Sequence, residues 1–297
     1  LSISCYGRDP QLLRDLVEDA VAMHRSSTMH RVSVYRRQNR APSWIHASDI
    51  PPRSLDTVDM DQNLRDEILD DLNTFLLSRV WYLSRAVPYR RSYMFEGPPG
   101  TGKSSLVHAL ASFFHLPIYI FNIRGKAISE DSLAMLFDDL PVYCLLLLED
   151  IDAAGLGSRH INNAMSPEDP PSAAGESEDG ACLTLAGLLN LLDGVAAVEG
   201  RVVVMTSNCI DKLDPALIRP GRIDKVISFC LATDAQAAAI FRRLYKDDPQ
   251  ATAELAEEFG RRFGSKVFSP AAIQSYILKR MGEPEKALQE ADNWIKE

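Results

Sequence analysis

The chain has no apolar run near the 18 or so residues that a membrane-spanning helix needs. The longest, Val142 to Leu148, is of strand length. Cysteine is sparse: Cys5, Cys144, Cys182, Cys209 and Cys230 form no C-x-x-C pair, which argues against a disulfide framework or a zinc site. They read as buried thiols in a reducing compartment. The six histidines show no metal-ligand spacing. The net charge of −9 argues against a general polyanion-binding surface, so a nucleic-acid partner is not expected. A starting methionine is also absent. The chain opens at Leu1, and a natural N-terminus with any targeting or membrane segment is expected upstream of it. What remains, 46% hydrophobic and 25% charged over 297 residues, suits one large or two to three modest globular domains.

Against these absences stands Gly97-Pro98-Pro99-Gly100-Thr101-Gly102-Lys103-Ser104, a complete G-x-x-x-x-G-K-[ST] loop. An apolar run, Tyr93 to Phe95, precedes it, and a helix-like run, Leu106 to Phe114, comes after. The mechanism needs both. Three glycines let the backbone curl until its N–H groups converge on an anionic phosphate. Lys103 then reaches the β- and γ-phosphates, Ser104 offers a hydroxyl to Mg²⁺, and the helix N-terminus adds its positive dipole end. The loop predicts a nucleoside triphosphate site.

Residues 1–50 read as strand, helix, strand: a small α+β piece that Ile50-Pro51-Pro52 separates from the rest of the chain. A D-x-x-Q at Asp59 and Gln62 resembles a capping box opening a helix, with Leu64, Ile68, Leu69, Leu72, Phe75 and Leu76 on one face. From Tyr93 to Phe229, strand and helix patterns alternate: 93–95, 103–114, 118–121, 131–137, 142–148, 184–192, 202–206, 226–229. That argues a parallel sheet with helices on both faces. Residues 232–297 read as helices only, with Ser269-Pro270 as a helix start. Gly155 to Gly180, with its prolines, serines and acids, reads as a mobile insertion. The fold class is therefore α/β, in three parts: 1–50, 51–231 and 232–297.

Leu145 to Leu148 ends in Glu149-Asp150. Acids arriving at the carboxyl end of a central strand sit where open α/β sheets bind ligands. They can hold Mg²⁺ and polarise an attacking water. Adjacent strand residues point to opposite faces, so only one of the two should aim directly at that water. Asn208 ends another apolar strand and could orient the water. Arg219 and Arg222, beside Pro220-Gly221, are placed on a loop, which suits a charge delivered to a neighbouring subunit's phosphate.

In this order and spacing, the phosphate loop, the acid pair, Asn208 and Leu213 to Asp224 resemble the AAA family of ring-forming ATPases. Three further features narrow the match: Pro88-Tyr89-Arg90-Arg91, the Glu-Asp order within Leu148 to Ala154, and Gly187 to Val195. They resemble the mitochondrial inner-membrane chaperones that translocate the folded Rieske iron–sulfur protein during respiratory complex III assembly, and fungal relatives of unknown task. The resemblance covers about residues 1–290. It implies an AAA nucleotide domain, a helical lid and part of a family-specific N-terminal domain. It also implies ATP and Mg²⁺ as cofactors and a homo-oligomeric ring, a heptamer, acting on a folded protein cargo. Anchorage would lie upstream of Leu1, with the ATPase domain in the matrix.

By that resemblance Gly97, Pro98, Pro99, Gly100, Thr101, Gly102, Lys103, Ser104 and Ser105 hold the nucleotide. Ser104 and Glu149 serve the metal, Asp150 activates water and Asn208 senses the γ-phosphate. Arg219 and Arg222 act in trans. Val58 and Met60 are adenine-side contacts, and Gln274 is a phosphate-side contact from the lid. Most AAA proteins carry Asp-Glu at the acid pair, so the reversed order here leaves the two individual roles open. Asn122 to Ser129 lacks the aromatic with which threading unfoldases grip an extended chain. That fits moving a folded cargo through a wide ring, and equally an ATP-controlled scaffold or signalling switch that threads nothing.

Overall fold

A computed structural model describes residues 31–38, 41–122, 130–154, 199–219, 221–264 and 266–296. The insertion expected at 155–180, the helix expected at 184–192, Gly187 to Val195, Ile123 to Ser129, and the first strand and helix of the N-terminal piece lie outside these residues. So do Cys5 and Cys182. Cys144, Cys209 and Cys230 are free thiols, but of these only Cys144 is buried as expected; Cys209 is half-buried and Cys230 exposed.

Among the described residues seven strands form one sheet: β1 (Val32–Arg37), β2 (Trp44–Ile50), β3 (Arg90–Glu96), β4 (Ile118–Asn122), β5 (Leu145–Glu149), β6 (Arg201–Ser207) and β7 (Lys225–Ser228). Their order is β2-β1-β4-β5-β6-β3-β7. Every pairing is parallel except β1 with β2. Since β1 pairs with β4 (Val34 opposite Ile118), the two strands before Pro51 extend the nucleotide domain's own sheet.

The central β5 explains the parallel arrangement. Its four leucines are fully buried, alternating between the two faces. Leu145 and Leu147 join Tyr93, Phe95, Val202 and Val204 on one side. Leu146 and Leu148 join Met94 and Met205 on the other. Burying one such side chain contributes roughly 1.5–3 kcal/mol. The first face is covered by α1 (Gln62–Leu77), through Ile68, Leu72 and Phe75, and by α3 (Lys103–Phe114), through Leu106, Val107 and Leu110. Between these two helices runs the short α2 (Arg79–Ser84). The second face is covered by α4 (Glu130–Asp138), through Leu133, Leu136 and Phe137.

Several boundaries differ from the sequence expectation, β3 among them, which begins at Arg90 and not at Tyr93; two have a visible cause. Helix α1 is capped by Asp61, whose Oδ1 accepts from Leu64 N at 3.1 Å, and not by Asp59. Asp59 is turned to the C-terminal helices, where its carboxylate finds stronger, charge-assisted partners. The strand expected from Val142 begins only at Leu145. Tyr143 adopts φ +61° while its N–H donates to Gly200 O at 2.9 Å, which breaks the extended run.

The C-terminal part is helical and has its own core. It comprises α5 (Asp234–Leu244), α6 (Ala253–Phe263), α7 (Pro270–Leu278), α8 (Pro284–Gln289) and α9 (Ala291–Lys296). Phe241, Phe259, Phe263, Tyr276 and Ile277 are buried among them. Ser269 caps α7 by accepting from Ala272 N at 3.2 Å, with Pro270 in its first turn. No described helix is long and apolar enough to cross a membrane.

Candidate active site

The loop from Gly97 to Gly102 joins the end of β3 to the start of α3, so the helix N-terminus opens directly beneath it. Gly97 (φ +136°) packs so close to β7's end that a Cβ would fall 2.1 Å from Phe229 O. Thr101, buried, closes the loop by donating from Oγ1 to Pro98 O at 2.8 Å. Lys103 is 7% exposed. Its ammonium has three donors, and three acceptors surround it: Gly97 O at 2.5 Å, Pro98 O at 2.9 Å and Asn208 Oδ1 at 2.9 Å. Burial lowers its pKa, and the nearby Asp150 and Asp152 oppose that shift. The half-buried Ser105 lies in the first turn of α3.

The acid pair meets this loop from β5. Ser104 Oγ donates to Glu149 Oε1 at 3.5 Å. Burial, and then the charge of Asp150, hold the Glu149 carboxyl above its ordinary value, while Ser104 and Arg36 pull it down. Asp150 leaves the strand with φ +48°, its N–H donating to Thr206 Oγ1 at 3.0 Å. The alternation expected from strand geometry therefore stops at Glu149. Asp150 Oδ1 accepts from Asn208 Nδ2 at 3.2 Å, and Asn208 in turn contacts Lys103. Both acids thus face the phosphate loop, one through Ser104 and the other through Asn208. Asn208 is held from its backbone as well, its N–H donating to Asp152 Oδ1 at 3.1 Å.

Beside the loop a cavity of about 520 Å³ separates the sheet domain from the helical part. Met60 and Thr101 line it from the sheet side, Thr233, Gln236 and Ala239 from the helices. Val58 is buried beneath Gly102, 3.7 Å from where a Cβ would stand there. Gln274 donates from Nε2 to Asp59 Oδ2 at 2.9 Å. Helix α7 touches the phosphate loop through Ala271 N, which donates to Gly100 O at 3.1 Å.

Arg219 and Arg222 stand on the loop between β6 and β7, which Leu213, Leu217 and Ile223 anchor in the second core. Ser92 of β3 donates to Arg222 O at 2.7 Å and accepts from Asp224 N at 3.2 Å. Ser92 is five extended residues before Gly97, roughly 16 Å. The loop is thus fastened well away from its own chain's phosphate loop. Arg219 is exposed; Arg222 donates from Nη1 to Ala216 O at 2.7 Å.

Three family models match in succession. Residues 93–231 match the ATPase family associated with various cellular activities (AAA). Residues 1–58 match the BCS1 N terminal model, and 234–293 the ATPase lid domain of the mitochondrial chaperone BCS1-like proteins. The chain is 33% identical over 311 residues to the probable mitochondrial chaperone BCS1-B of Dictyostelium discoideum, covering 100% of this chain and 67% of that protein. The chain belongs to the BCS1-like AAA ATPases. It is 38% identical over 245 residues to the mitochondrial chaperone BCS1 of Bos taurus, covering 81% of this chain and 55% of the relative. To the probable mitochondrial chaperone bcs1 of Schizosaccharomyces pombe it is 32% identical, covering 98% and 61%. The chain therefore spans between 55% and 67% of the length of these relatives.

As a BCS1-like AAA ATPase it binds a nucleotide and hydrolyses it. In this chain Asp152, Thr206 and Asp59 also lie against the candidate site residues, though the motif reading gave Asp59 only a helix-capping role and the other two none. For Asp152 a signal existed, since Glu149-Asp150-Ile151-Asp152 returns a third acid two residues on. Asp59 carried none, because its partners lie 184 and 215 residues away.

Proposed function

We propose that this BCS1-like chain is the ATP-driven part of a ring-forming chaperone that moves a folded protein cargo. The cargo is taken to be the Rieske iron–sulfur protein, the ring a heptamer, and the setting the mitochondrial inner membrane with the ATPase domain in the matrix. One observation carries the enzymatic core of this reading. Lys103, Asn208 and Asp150 form a hydrogen-bonded chain beside the phosphate loop, with Ser104 and Glu149 meeting next to it.

The donor set fits Mg²⁺. Ser104 and Glu149 offer oxygen atoms to a hard cation that keeps waters and takes phosphate oxygens as well. Among the described residues no group of three or more His, Cys, Asp or Glu forms an all-protein metal cage, and such a site needs none. When bound, the cation neutralises charge on the β- and γ-phosphates.

Lys103 binds those phosphates by exchanging its carbonyl partners for them, and the backbone N–H groups of Gly100 to Ser104 cradle them. Asp150 takes the proton of the water that attacks the γ-phosphorus, and Asn208 orients that water. ADP and phosphate leave. Arg219 and Arg222 of one protomer stabilise the charge developing in its neighbour's site, so hydrolysis requires the assembled ring.

The test is the ATPase rate per subunit against protein concentration, with Arg222→Ala mixed with Asp150→Asn as a second arm. A rate that rises with concentration, and activity recovered in the mixture of two inactive variants, are expected. A concentration-independent rate with no recovery overturns the ring motor. It favours a nucleotide-dependent scaffold or signalling switch with incidental ATPase activity.

A further inference from the structure

Asp59 belongs to neither the phosphate loop nor the acid pair, yet one of its oxygens fastens the lid to the sheet domain. Its side chain is 7% exposed. Oδ2 accepts from Arg243 Nη2 at 2.6 Å and from Gln274 Nε2 at 2.9 Å. Arg243 stands in the last turn of α5 and Gln274 in the middle of α7, so a single carboxylate draws two lid helices onto the segment that leads into α1. Asp59 also lines the cavity, with Met60 beside it and Thr233, Gln236 and Ala239 across from it.

A second fastening lies at the start of α7, where Ala271 N donates to Gly100 O at 3.1 Å. The two fastenings bracket the nucleotide site. One touches the phosphate loop and the other the wall of the cavity. A charge-assisted bond to a mostly buried carboxylate is about twice as strong as a neutral one, and removing Arg243 leaves Asp59 only Gln274 and the charge of Arg53.

We propose that Asp59 is a positioning residue that sets the width of the cavity for the base and ribose of ATP, holding the lid against them through Arg243 and Gln274. The inference rests on the phosphate loop being the ATP site. Triphosphate contacts come from Lys103 and the loop, which the Asp59 fastening does not touch. Loosening it should cost affinity only for ligands that carry a nucleoside.

The experiment measures binding of ATP, ADP and inorganic tripolyphosphate to the full chain and to Asp59→Ala, Arg243→Ala, the double variant and Asp59→Asn. Each alanine variant should weaken ATP and ADP about tenfold, a change of about 1.4 kcal/mol, and raise the KM for ATP with kcat within about twofold. Tripolyphosphate affinity should stay within about twofold. The double variant should be no worse than either single one. Asp59→Asn should fall between, since its amide oxygen still accepts from Gln274.

Unchanged ATP affinity, an equal loss for tripolyphosphate, or additive losses in the double variant would overturn the proposal. Wild-type protein that binds neither ATP nor tripolyphosphate would instead remove the ATP-site reading beneath it. Should Asp59→Ala not fold, Arg243→Lys carries the same test, since it keeps the buried carboxylate partly paired.

Discussion

Lys103 Nζ lies 2.9 Å from Asn208 Oδ1, joining the phosphate loop to the end of a strand 105 residues further on. The other end of the same amide donates to Asp150 at 3.2 Å. Asn208 thus spans the group proposed to bind phosphate and the group proposed to activate the water. Asp150→Asn should bind ATP with near wild-type affinity and lose about 10²–10⁴-fold in kcat, the range expected on removing a general base. Asn208→Ala should lose about 10–10²-fold, because water is left unoriented while both charges remain. Lys103→Ala should abolish binding. Equilibrium binding beside single-turnover hydrolysis separates the three; a normal rate for Asp150→Asn would remove its assigned role.

The loop's backbone makes its own demand. At Gly97, φ is +136° and an added Cβ would meet Phe229 O at 2.1 Å, a backbone atom just beyond β7 that cannot yield cheaply. Gly97→Ala should destabilise the protein by roughly 3 kcal/mol or more, from strain and clash together. Gly221 is the control. It also has positive φ, at +94°, but nothing lies within 4 Å of its added Cβ. Gly221→Ala should cost only about 1 kcal/mol. Urea unfolding of the two variants checks the difference.

Burial and then the charge of Arg53 lower the pKa of His108 on α3. The unfolded chain therefore binds a proton near pH 6.5 that the folded chain refuses. Stability from this residue is complete above that pH and is lost as pH falls below it. His108→Gln should shrink the drop in melting temperature between pH 7.5 and pH 5.5 by on the order of 1–3 °C. An unchanged drop would show that His108 titrates alike in both states.

The parts legible in the sequence are those whose causes are local. Lys103–Phe114 forms where expected because the glycine-rich turn, the strand before it and the apolar helix face all fall within 25 residues. The β5 leucines likewise declare a doubly buried strand. Strand β2, mostly exposed along its length, carries no such pattern and is held by pairing with β1. Asp59 shows how a nearby expectation fails: the spacing to Gln62 fits a helix cap, but Arg243 and Gln274 outcompete it from the far end of the chain. Asp150 obeys the same logic, because strand alternation does not foresee a left-handed residue bonded through Asn208.

The two arginines proposed to act in trans make different demands on their own chain, and this separates their roles. Arg219 is exposed. Arg222 holds its loop together by donating to Ala216 O at 2.7 Å, while its carbonyl accepts from Ser92. Arg219→Ala should leave the melting temperature unchanged, so any loss of ATPase rate reports on the neighbouring site alone. Arg222→Ala should lower both the rate and the melting temperature, the latter by a few degrees for the loss of about 1 kcal/mol. If charge in trans is what both supply, each variant should still bind ATP while hydrolysis falls by orders of magnitude. Full activity in Arg219→Ala beside an inactive Arg222→Ala would assign the trans charge to Arg222 alone.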